Sequence, residues 1–241
     1  MNKLIIANIK MNKNSKEMSD YLQVLNEGEY STKLVVLSPI PFLFLNKVYN
    51  KISYGVQNFF YKDEGAFTGE VSLNMLKYLN VEYALIGHSE RRKLFKESGT
   101  LINKKLLKCL EDGITPILCF GESLGQTKSA NLTKAHFKRQ ITSALKGVKI
   151  ADLEKIIIAY EPTYAVNGNE AADIVKVEEN IKLIRELISA KSAKTEINVK
   201  VVYGGSINVE NYKVYLNSEE IDGLLIGRTS LDAESLKEIL E

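Results

Sequence analysis

Short apolar runs recur along the chain, separated by longer segments in which apolar and polar residues alternate with helical spacing. Eight runs of four or five mostly aliphatic or β-branched residues occur at Leu4–Ala7, Leu34–Leu37, Tyr54–Gln57, Tyr83–Ile86, Thr115–Cys119, Ile156–Tyr160, Val199–Tyr203 and Gly223–Ile226. Runs that are apolar without alternation are typical of strands buried on both faces, as in parallel sheets. We therefore predict eight parallel strands.

The segments between the runs have the pattern of amphipathic helices. The longest covers Asp173–Ala190, where one face is apolar and the other carries charges, and Asp173 is its expected N-cap. The same spacing predicts a helix over Asn103–Asp112, followed by Gly113, and another over Thr133–Leu145. Strands and helices are therefore expected to alternate along the chain.

This alternation determines the predicted fold class. Eight strand runs in 241 residues give about 30 residues per unit, the size of one strand with its helix. Eight such units fit a single (β/α)8 barrel domain over residues 1–241, since about 250 residues is typical of that fold. A doubly wound open sheet is the alternative, but it favours a glycine-rich turn after the first strand, and residues 7–10 contain no glycine.

The composition limits the partners of the protein. The chain has 32 basic and 30 acidic residues, a formal net charge of +2, and 45% apolar residues. These values exclude a disordered chain and argue against a nucleic-acid binder, whereas an anionic small molecule needs only local positive charge. The two cysteines match neither a disulfide framework nor a zinc site. No signal peptide or membrane span is predicted, and the expected location is the cytoplasm.

Reactive side chains follow five of the eight predicted strands. In a barrel of parallel strands the active site lies at the carboxyl ends of the strands, so these side chains are expected to meet on one face. They are Asn8 and Lys10 after the first strand, His88 and Glu90 after the fourth, Glu161 after the sixth, Ser206 after the seventh, and Arg228 after the eighth, where Gly227 comes before it and offers its backbone N–H.

These groups suit the removal of a proton next to a carbonyl. Glu161 is the expected base, and a partly apolar setting should raise its pKa toward the working pH. His88 and Lys10 are the candidates that stabilise the resulting oxyanion, and a helix start after His88 favours a neutral imidazole. The turns at Gly204–Ser206 and Gly227 present backbone N–H groups that suit a phosphate dianion.

Several segments match a known family in order and spacing. They are Asn8-Ile9-Lys10, the six residues Gly87–Arg92, the strand and exit Pro116–Glu122, Tyr160-Glu161-Pro162, and Tyr203–Ser206. On these segments the chain resembles the triosephosphate isomerase family over residues 8–228. The resemblance implies a barrel enzyme that interconverts dihydroxyacetone phosphate and glyceraldehyde 3-phosphate through an enediolate, in glycolysis and gluconeogenesis. It implies no metal and no organic cofactor.

The resemblance also implies roles for single residues. Glu161 would move the proton, His88 would be the neutral electrophile, and Asn8 and Lys10 would line the substrate pocket. Glu90 would orient these groups in a supporting role.

Two further implications concern residues outside the pocket. Arg91 would pair with Glu97 in a structural role. Residues 65–72 resemble a family loop that inserts into a second subunit, so a homodimer is expected. Thr68 would then lie near Asn8 and Lys10 of the partner subunit.

Three positions depart from the family pattern. Asn167 stands in the lid where a glycine usually offers its N–H to the phosphate, and Asn keeps that N–H. Tyr164 replaces the lid tryptophan, so the chain contains no tryptophan at all. Arg228 replaces the second glycine of the last phosphate turn, and its N–H is available only if the backbone there suits a residue with a side chain.

Two other functions stay open from the residues alone. A lyase or epimerase of another phosphorylated sugar would need different groups after the first, fourth and sixth strands. A non-catalytic barrel with a degraded lid, altered at Asn167 and Asn169, would not need the reactive set to be intact. Three residues are predicted to be structural only, namely His136, Cys109 and Cys119.

Overall fold

A computed structural model of the protein describes residues 3–166, 168, 170–192 and 197–241. Eight parallel strands follow one another around a closed barrel, and β1 pairs with both β2 and β8. The strands are β1 Leu4–Asn8, β2 Lys33–Ser38, β3 Ser53–Val56, β4 Val81–Ile86, β5 Thr115–Phe120, β6 Ile157–Tyr160, β7 Lys200–Tyr203 and β8 Gly223–Ile226. The closure confirms the predicted (β/α)8 barrel and excludes the open sheet.

Helices surround the barrel. The α-helices of the described residues are α1 Ser15–Glu27, α2 Leu73–Leu76, α3 Ser89–Leu94, α4 Gly99–Glu111, α5 Ala130–Ala144, α6 Thr163–Val166, α7 Ile174–Ser189, α8 Tyr212–Leu216 and α9 Ala233–Leu240. Short 3-10 helices cover Ile40–Lys47, Gln126–Lys128, Ile150–Lys155 and Arg228–Leu231. No helix in the described part of the chain is both long enough and apolar enough to cross a membrane.

The strands are buried on both faces, as the unbroken apolar runs predicted. Side chains such as Ile6, Leu37 and Leu85 fill the barrel interior, whereas Ile5 and Val36 point outward against the helices. Burying one aliphatic side chain of this size contributes about 1.5–3 kcal/mol. Both layers therefore stabilise the frame that holds the loops at the carboxyl ends.

The helix boundaries follow capping residues. The predicted cap Asp173 is confirmed, because its Oδ1 accepts a hydrogen bond from Lys176 N at 3.2 Å at the start of α7. In contrast, α4 begins at Gly99 rather than at Asn103, since the Ser98 hydroxyl caps the Leu101 N–H at 3.2 Å. Glycine and threonine are weak helix formers, which hid this first turn from the apolar pattern.

Candidate active site

The predicted site residues surround one cavity at the carboxyl ends of the strands, with a volume of about 190 Å³. Seven of them line it, namely Asn8, Lys10, His88, Glu161, Ser206, Gly227 and Arg228. Glu90 stands beside the cavity and contacts Lys10 and His88. Asn167 lies outside the described residues. The barrel therefore brings together side chains that are as much as 220 residues apart, from Asn8 to Arg228.

Glu161 and His88 face each other in this cavity. Nε2 of His88 lies 3.3 Å from Oε1 of Glu161, and each side chain is only 5% exposed. The second oxygen, Oε2 of Glu161, is buried and accepts no hydrogen bond from the residues that the structure describes. An oxygen without a protein donor keeps its lone pairs for a proton, which is what a general base needs.

Two glycines allow the backbone to hold Glu161 in this place. The Glu161 N–H donates to the Phe120 carbonyl at 2.9 Å, which ties the base to the end of β5. A Cβ atom on Gly204 would lie 3.0 Å from Cγ of Glu161, and one on Gly121 would lie 2.1 Å from its carbonyl oxygen. A side chain at either glycine would therefore displace the base.

His88 connects the end of β4 with α3. Its Nδ1 accepts a hydrogen bond from the Glu90 N–H at 3.3 Å, so the ring caps the short helix. An imidazole nitrogen that accepts a hydrogen bond carries no proton. This contact favours the ring form whose proton lies on Nε2 and faces Glu161.

The pKa values of the two groups shift toward the ionised pair. Burial raises the pKa of Glu161, but His88, then the neighbouring Cys119 thiol and the charge of Lys10 outweigh it, so that pKa lies below its ordinary value. Burial lowers the pKa of His88, but Glu161 and then Glu90 outweigh it, so that pKa is raised. The expected rise in the pKa of Glu161 is therefore wrong, because an apolar setting is not the only influence on the carboxyl.

The shift of the His88 pKa and its Nδ1 contact point in opposite directions. A raised pKa extends the charged form to higher pH, whereas the Nδ1 acceptor requires the neutral ring. Glu161 is the principal cause of the raised pKa, and its influence disappears once Glu161 itself takes up a proton. The Nδ1 contact defines the neutral ring, and the raised pKa moves the uptake of a second proton by that ring to higher pH.

Lys10 reaches the cavity from a strained backbone. Its φ is 53°, in the left-handed region that residues with a side chain enter at a cost of about 1–3 kcal/mol. The Lys10 carbonyl accepts from Gln57 Nε2 at 3.0 Å, and the Lys10 N–H donates to Asn8 Oδ1 at 3.1 Å. Nζ lies 2.5 Å from Oε1 of Glu90. Glu90 thus forms an ion pair with the ammonium group of Lys10.

Backbone turns form the other side of the cavity. The Ser206 hydroxyl lies 2.7 Å from the Ala165 carbonyl and 2.9 Å from the Gly168 carbonyl, so it connects the turn after β7 to the lid. Ser206 therefore offers a ligand its backbone N–H rather than its hydroxyl. Arg228 is the first residue of a 3-10 helix, and its φ is not positive. The backbone at this position thus suits a residue with a side chain, and the departure from glycine causes no strain.

Comparisons with known proteins agree with this arrangement. The family model for triosephosphate isomerase matches residues 3–241. The chain belongs to the triosephosphate isomerase family.

Relatives of the same name match the whole chain. Triosephosphate isomerase from Aquifex aeolicus (strain VF5) is 41% identical over 246 residues, covering 100% of this chain and 99% of the relative. The proteins of that name from Francisella tularensis subsp. holarctica (strain FTNF002-00 / FTA) and Alkaliphilus oremlandii (strain OhILAs) are 38% and 37% identical to this chain. Each match covers 100% of this chain, and the two matches cover 96% and 99% of the respective relatives. The predicted family and its isomerase activity are confirmed.

The lid of this triosephosphate isomerase family member is attached at both ends. At its start, the Thr163 N–H donates to the Glu122 carbonyl at 2.8 Å. At its end, the Ala172 N–H donates to the Tyr203 hydroxyl at 2.9 Å. Tyr164, which stands where the family usually has tryptophan, packs against the core as a partly buried side chain.

A buried ion cluster supports α3 and α4. The predicted pair is confirmed, because Nε of Arg91 lies 2.9 Å from Oε2 of Glu97. Sequence reasoning missed its third member, since Nζ of Lys105 lies 2.7 Å from Oε1 of Glu97 and both side chains are nearly inaccessible. The signal was available, because Lys105 interrupts the apolar face of α4 between Ile102 and Leu106.

A second buried polar network was also missed. Oε1 of Glu122 accepts from the Tyr160 hydroxyl at 2.9 Å and from Asn180 Nδ2 at 3.2 Å. Asn180 lies on the apolar face of α7 between Val177 and Ile184, which was the available signal. The network fixes the residue before Glu161. Among the described residues, no three His, Cys, Asp or Glu side chains are placed to hold a metal ion.

Proposed function

We propose that this protein catalyses the interconversion of dihydroxyacetone phosphate and glyceraldehyde 3-phosphate with Glu161 as its base. The observation that carries the proposal is the buried contact of 3.3 Å between Glu161 and His88 in the cavity that Lys10 also lines. The carboxylate removes a proton from the hydroxymethyl carbon beside the ketone, which leaves an enediolate. The protonated carboxyl then returns a proton to the neighbouring carbon. The hydroxyl proton on the oxygen of the first carbon passes to the former ketone oxygen, which leaves the first carbon as the aldehyde.

In this proposal His88 and Lys10 act on the oxygen atoms. The negative charge of the enediolate develops on oxygen, where a fixed donor stabilises it more than it stabilises the ketone. Neutral His88 donates from Nε2, which the acceptor contact at Nδ1 leaves as the protonated nitrogen. Lys10 adds a positive charge whose direction is set by Glu90. Asn8 supports Lys10 through its side-chain oxygen.

We assign the phosphate group of the substrate to the turns after β7 and β8. Ser206, Gly227 and Arg228 line the cavity there and supply backbone N–H groups, with Lys10 as the nearby positive charge. Asn167, predicted from the lid sequence, is proposed to add its own N–H. No excess of surface charge is needed for an anion held in this way.

Solvent deuterium provides the test of this mechanism. In D₂O, a base that exchanges its proton with solvent during the enediolate stage should place deuterium at C2 of the glyceraldehyde 3-phosphate product, which NMR detects. A lyase or an epimerase of another sugar would not convert dihydroxyacetone phosphate in this way, and a non-catalytic barrel would leave it unchanged. Folded protein that fails to turn over dihydroxyacetone phosphate would therefore contradict the proposal.

We also propose a homodimer formed through residues 65–72. The loop is exposed yet ordered by its own contacts, since the Phe67 ring lies 4.6 Å from Phe60 and the Phe60 N–H donates to Val71 O at 2.8 Å. Met11, beside the cavity loop that carries Lys10, is 97% exposed. An exposed apolar side chain on the same end of the barrel suits a subunit contact.

Light scattering tests the dimer directly. The unaltered chain of 27.1 kDa should show twice its mass. Thr68→Arg, at the tip of the exposed loop, should give monomers, whereas Ser31→Arg, on an exposed loop before β2, should not. A dimer that survives Thr68→Arg would contradict this assignment.

The remaining proposals concern context. We propose one folding domain over residues 1–241, a cytoplasmic location, and a place in glycolysis and gluconeogenesis. The reaction of the family supports the pathway and the location. A single cooperative unfolding transition and cell fractionation are the tests.

A further inference from the structure

His136 on α5 contacts the segment that follows β5 through both of its ring nitrogens. Nδ1 lies 2.7 Å from Gln126 Nε2 and 3.0 Å from a guanidinium nitrogen of Arg139, while Nε2 lies 3.1 Å from the Gly121 carbonyl. The Gln126 amide is oriented by Ser123, whose N–H donates to its oxygen at 2.7 Å. Both neighbours of Nδ1 are therefore donors, so the proton of His136 lies on Nε2 and binds the Gly121 carbonyl.

The environment keeps His136 in this form. Burial and the nearby charges of Arg139 and Arg92 lower its pKa, although the bond to Gly121 opposes them. A neutral ring with one donor and one acceptor nitrogen matches its partners, whereas an imidazolium would face the guanidinium of Arg139. His136 thus forms a fixed connection between α5 and Gly121.

Gly121 lies directly against the backbone of Glu161. A Cβ atom on Gly121 would be 2.1 Å from the Glu161 carbonyl oxygen and 2.4 Å from its carbonyl carbon. The preceding residue, Phe120, accepts the Glu161 N–H at 2.9 Å, and the next one, Glu122, accepts the Thr163 N–H at 2.8 Å. Three consecutive residues therefore form the surface on which the backbone of the base rests.

We infer that His136 is a positioning residue for Glu161 and acts through the Gly121 carbonyl. The inference rests on the proposed role of Glu161 as the base. His136 does not line the substrate cavity, and neither does Gly121. Loss of the hydrogen bond should move the base while leaving the phosphate contacts in place. Proton transfer should therefore slow, and substrate binding should not change.

Three substitutions separate the two nitrogens of the ring. His136→Gln places an amide N–H near the position of Nε2 and can keep the bond to Gly121. His136→Asn places its polar atoms near Nδ1 and can keep only the contacts with Gln126 and Arg139. His136→Leu removes both. Lys138→Ala, at an exposed position on the same helix, is the matched control.

Steady-state kinetics on the folded variants give the decisive comparison. Misplacement of a reacting group by about 1 Å can cost about 100-fold, so we expect a partial displacement to lower kcat about ten-fold. His136→Leu and His136→Asn should show this loss with KM within about two-fold, while His136→Gln and Lys138→Ala should stay near the unaltered protein. An equal loss in the Gln and Leu variants, a change confined to KM, or no loss in any variant would overturn the inference.

A double variant connects the effect to the base and separates this inference from the proposed function. If His136 acts only through Glu161, His136→Leu should cost nothing further in a Glu161→Gln background. A full additional loss there would overturn the inference even if the isomerase activity is intact. Failure of the proposed function would look different, because the unaltered protein itself would then not turn over dihydroxyacetone phosphate.

Discussion

Nε2 of His88 lies 3.3 Å from Oε1 of Glu161, and each group lowers the cost of a charge on the other. The protonation state of each group therefore depends on that of the other. The Glu161 carboxylate makes the imidazolium form of His88 more favourable, and His88 does the same for the carboxylate. This coupling explains why burial alone does not set either pKa.

Removal of the carboxylate should lower the pKa of His88. Glu161 raises that pKa more than any other group, while burial lowers it, so Glu161→Gln leaves burial with less opposition. NMR titration of the imidazole signals measures the effect, and the chain has only two histidines to assign. His136, whose pKa is lowered by burial, should titrate at its former pH in both proteins. An unchanged pKa of His88 in Glu161→Gln would contradict the coupling between the two groups.

The same substitution should abolish nearly all proton transfer. General bases contribute about 10²–10⁴-fold to the rate, so kcat of Glu161→Gln should fall by a factor in this range. Binding of inorganic phosphate should be retained, because Ser206 and Gly227 lie in the turns after β7 and β8, whereas Glu161 follows β6. Kinetics and calorimetry measure the two effects, with the exposed Glu210→Gln as the control. A near-normal rate would rule out Glu161 as the base.

Much of the barrel and the site could be predicted from the sequence, because both follow from local patterns. The run Gly223–Ile226 matches β8 residue for residue, and Ile156–Tyr160 differs from β6 only at its first residue. Glu161 and His88 could be placed in one cavity because each follows a strand of a parallel barrel. For residues that directly follow a strand, the order of the strands along the chain is enough to predict where they lie in the barrel.

Properties that depend on contacts between distant residues could not be predicted in this way. The pKa of Glu161 depends on Cys119 and His88, which approach it only after the barrel closes. Lys105 was overlooked because a lysine is usually a surface residue, and its partner Glu97 lies outside the helix. The direction of a pKa shift and the burial of a charged side chain both depend on how the whole chain packs.

Loss of the buried ammonium group should destabilise the protein strongly. Lys105→Met removes one partner of Glu97 and leaves Arg91 as the remaining cation, so we expect a loss of about 3–5 kcal/mol in the free energy of unfolding. Urea unfolding measures this loss. Lys104→Met, at the exposed neighbouring position, should change stability by less than about 0.5 kcal/mol.

The double variant Lys105→Met with Glu97→Gln separates the ion pair from simple packing. It removes the buried carboxylate that has lost one of its two cations, so it should recover part of the lost stability. If the double variant is less stable than Lys105→Met alone, or if Lys104→Met is as damaging, the buried pair is not the cause.

A methyl group at Gly121 should disturb both stability and catalysis. A Cβ there would lie 2.1 Å from the Glu161 carbonyl oxygen, and backbone cannot move aside as a flexible side chain can. Gly121→Ala should therefore lower the free energy of unfolding by about 1–3 kcal/mol, and kcat should fall with the displaced base.

Gly125→Ala is the matched control, because the φ of Gly125 is −65° and no atom beyond its chain neighbours lies closer than 3.8 Å to the new Cβ. That variant should be neutral or slightly more stable, by up to about 1 kcal/mol. Thermal unfolding and steady-state kinetics measure the two effects on both variants. Equal stability and equal kcat in the two variants would contradict the close packing of Gly121 on Glu161.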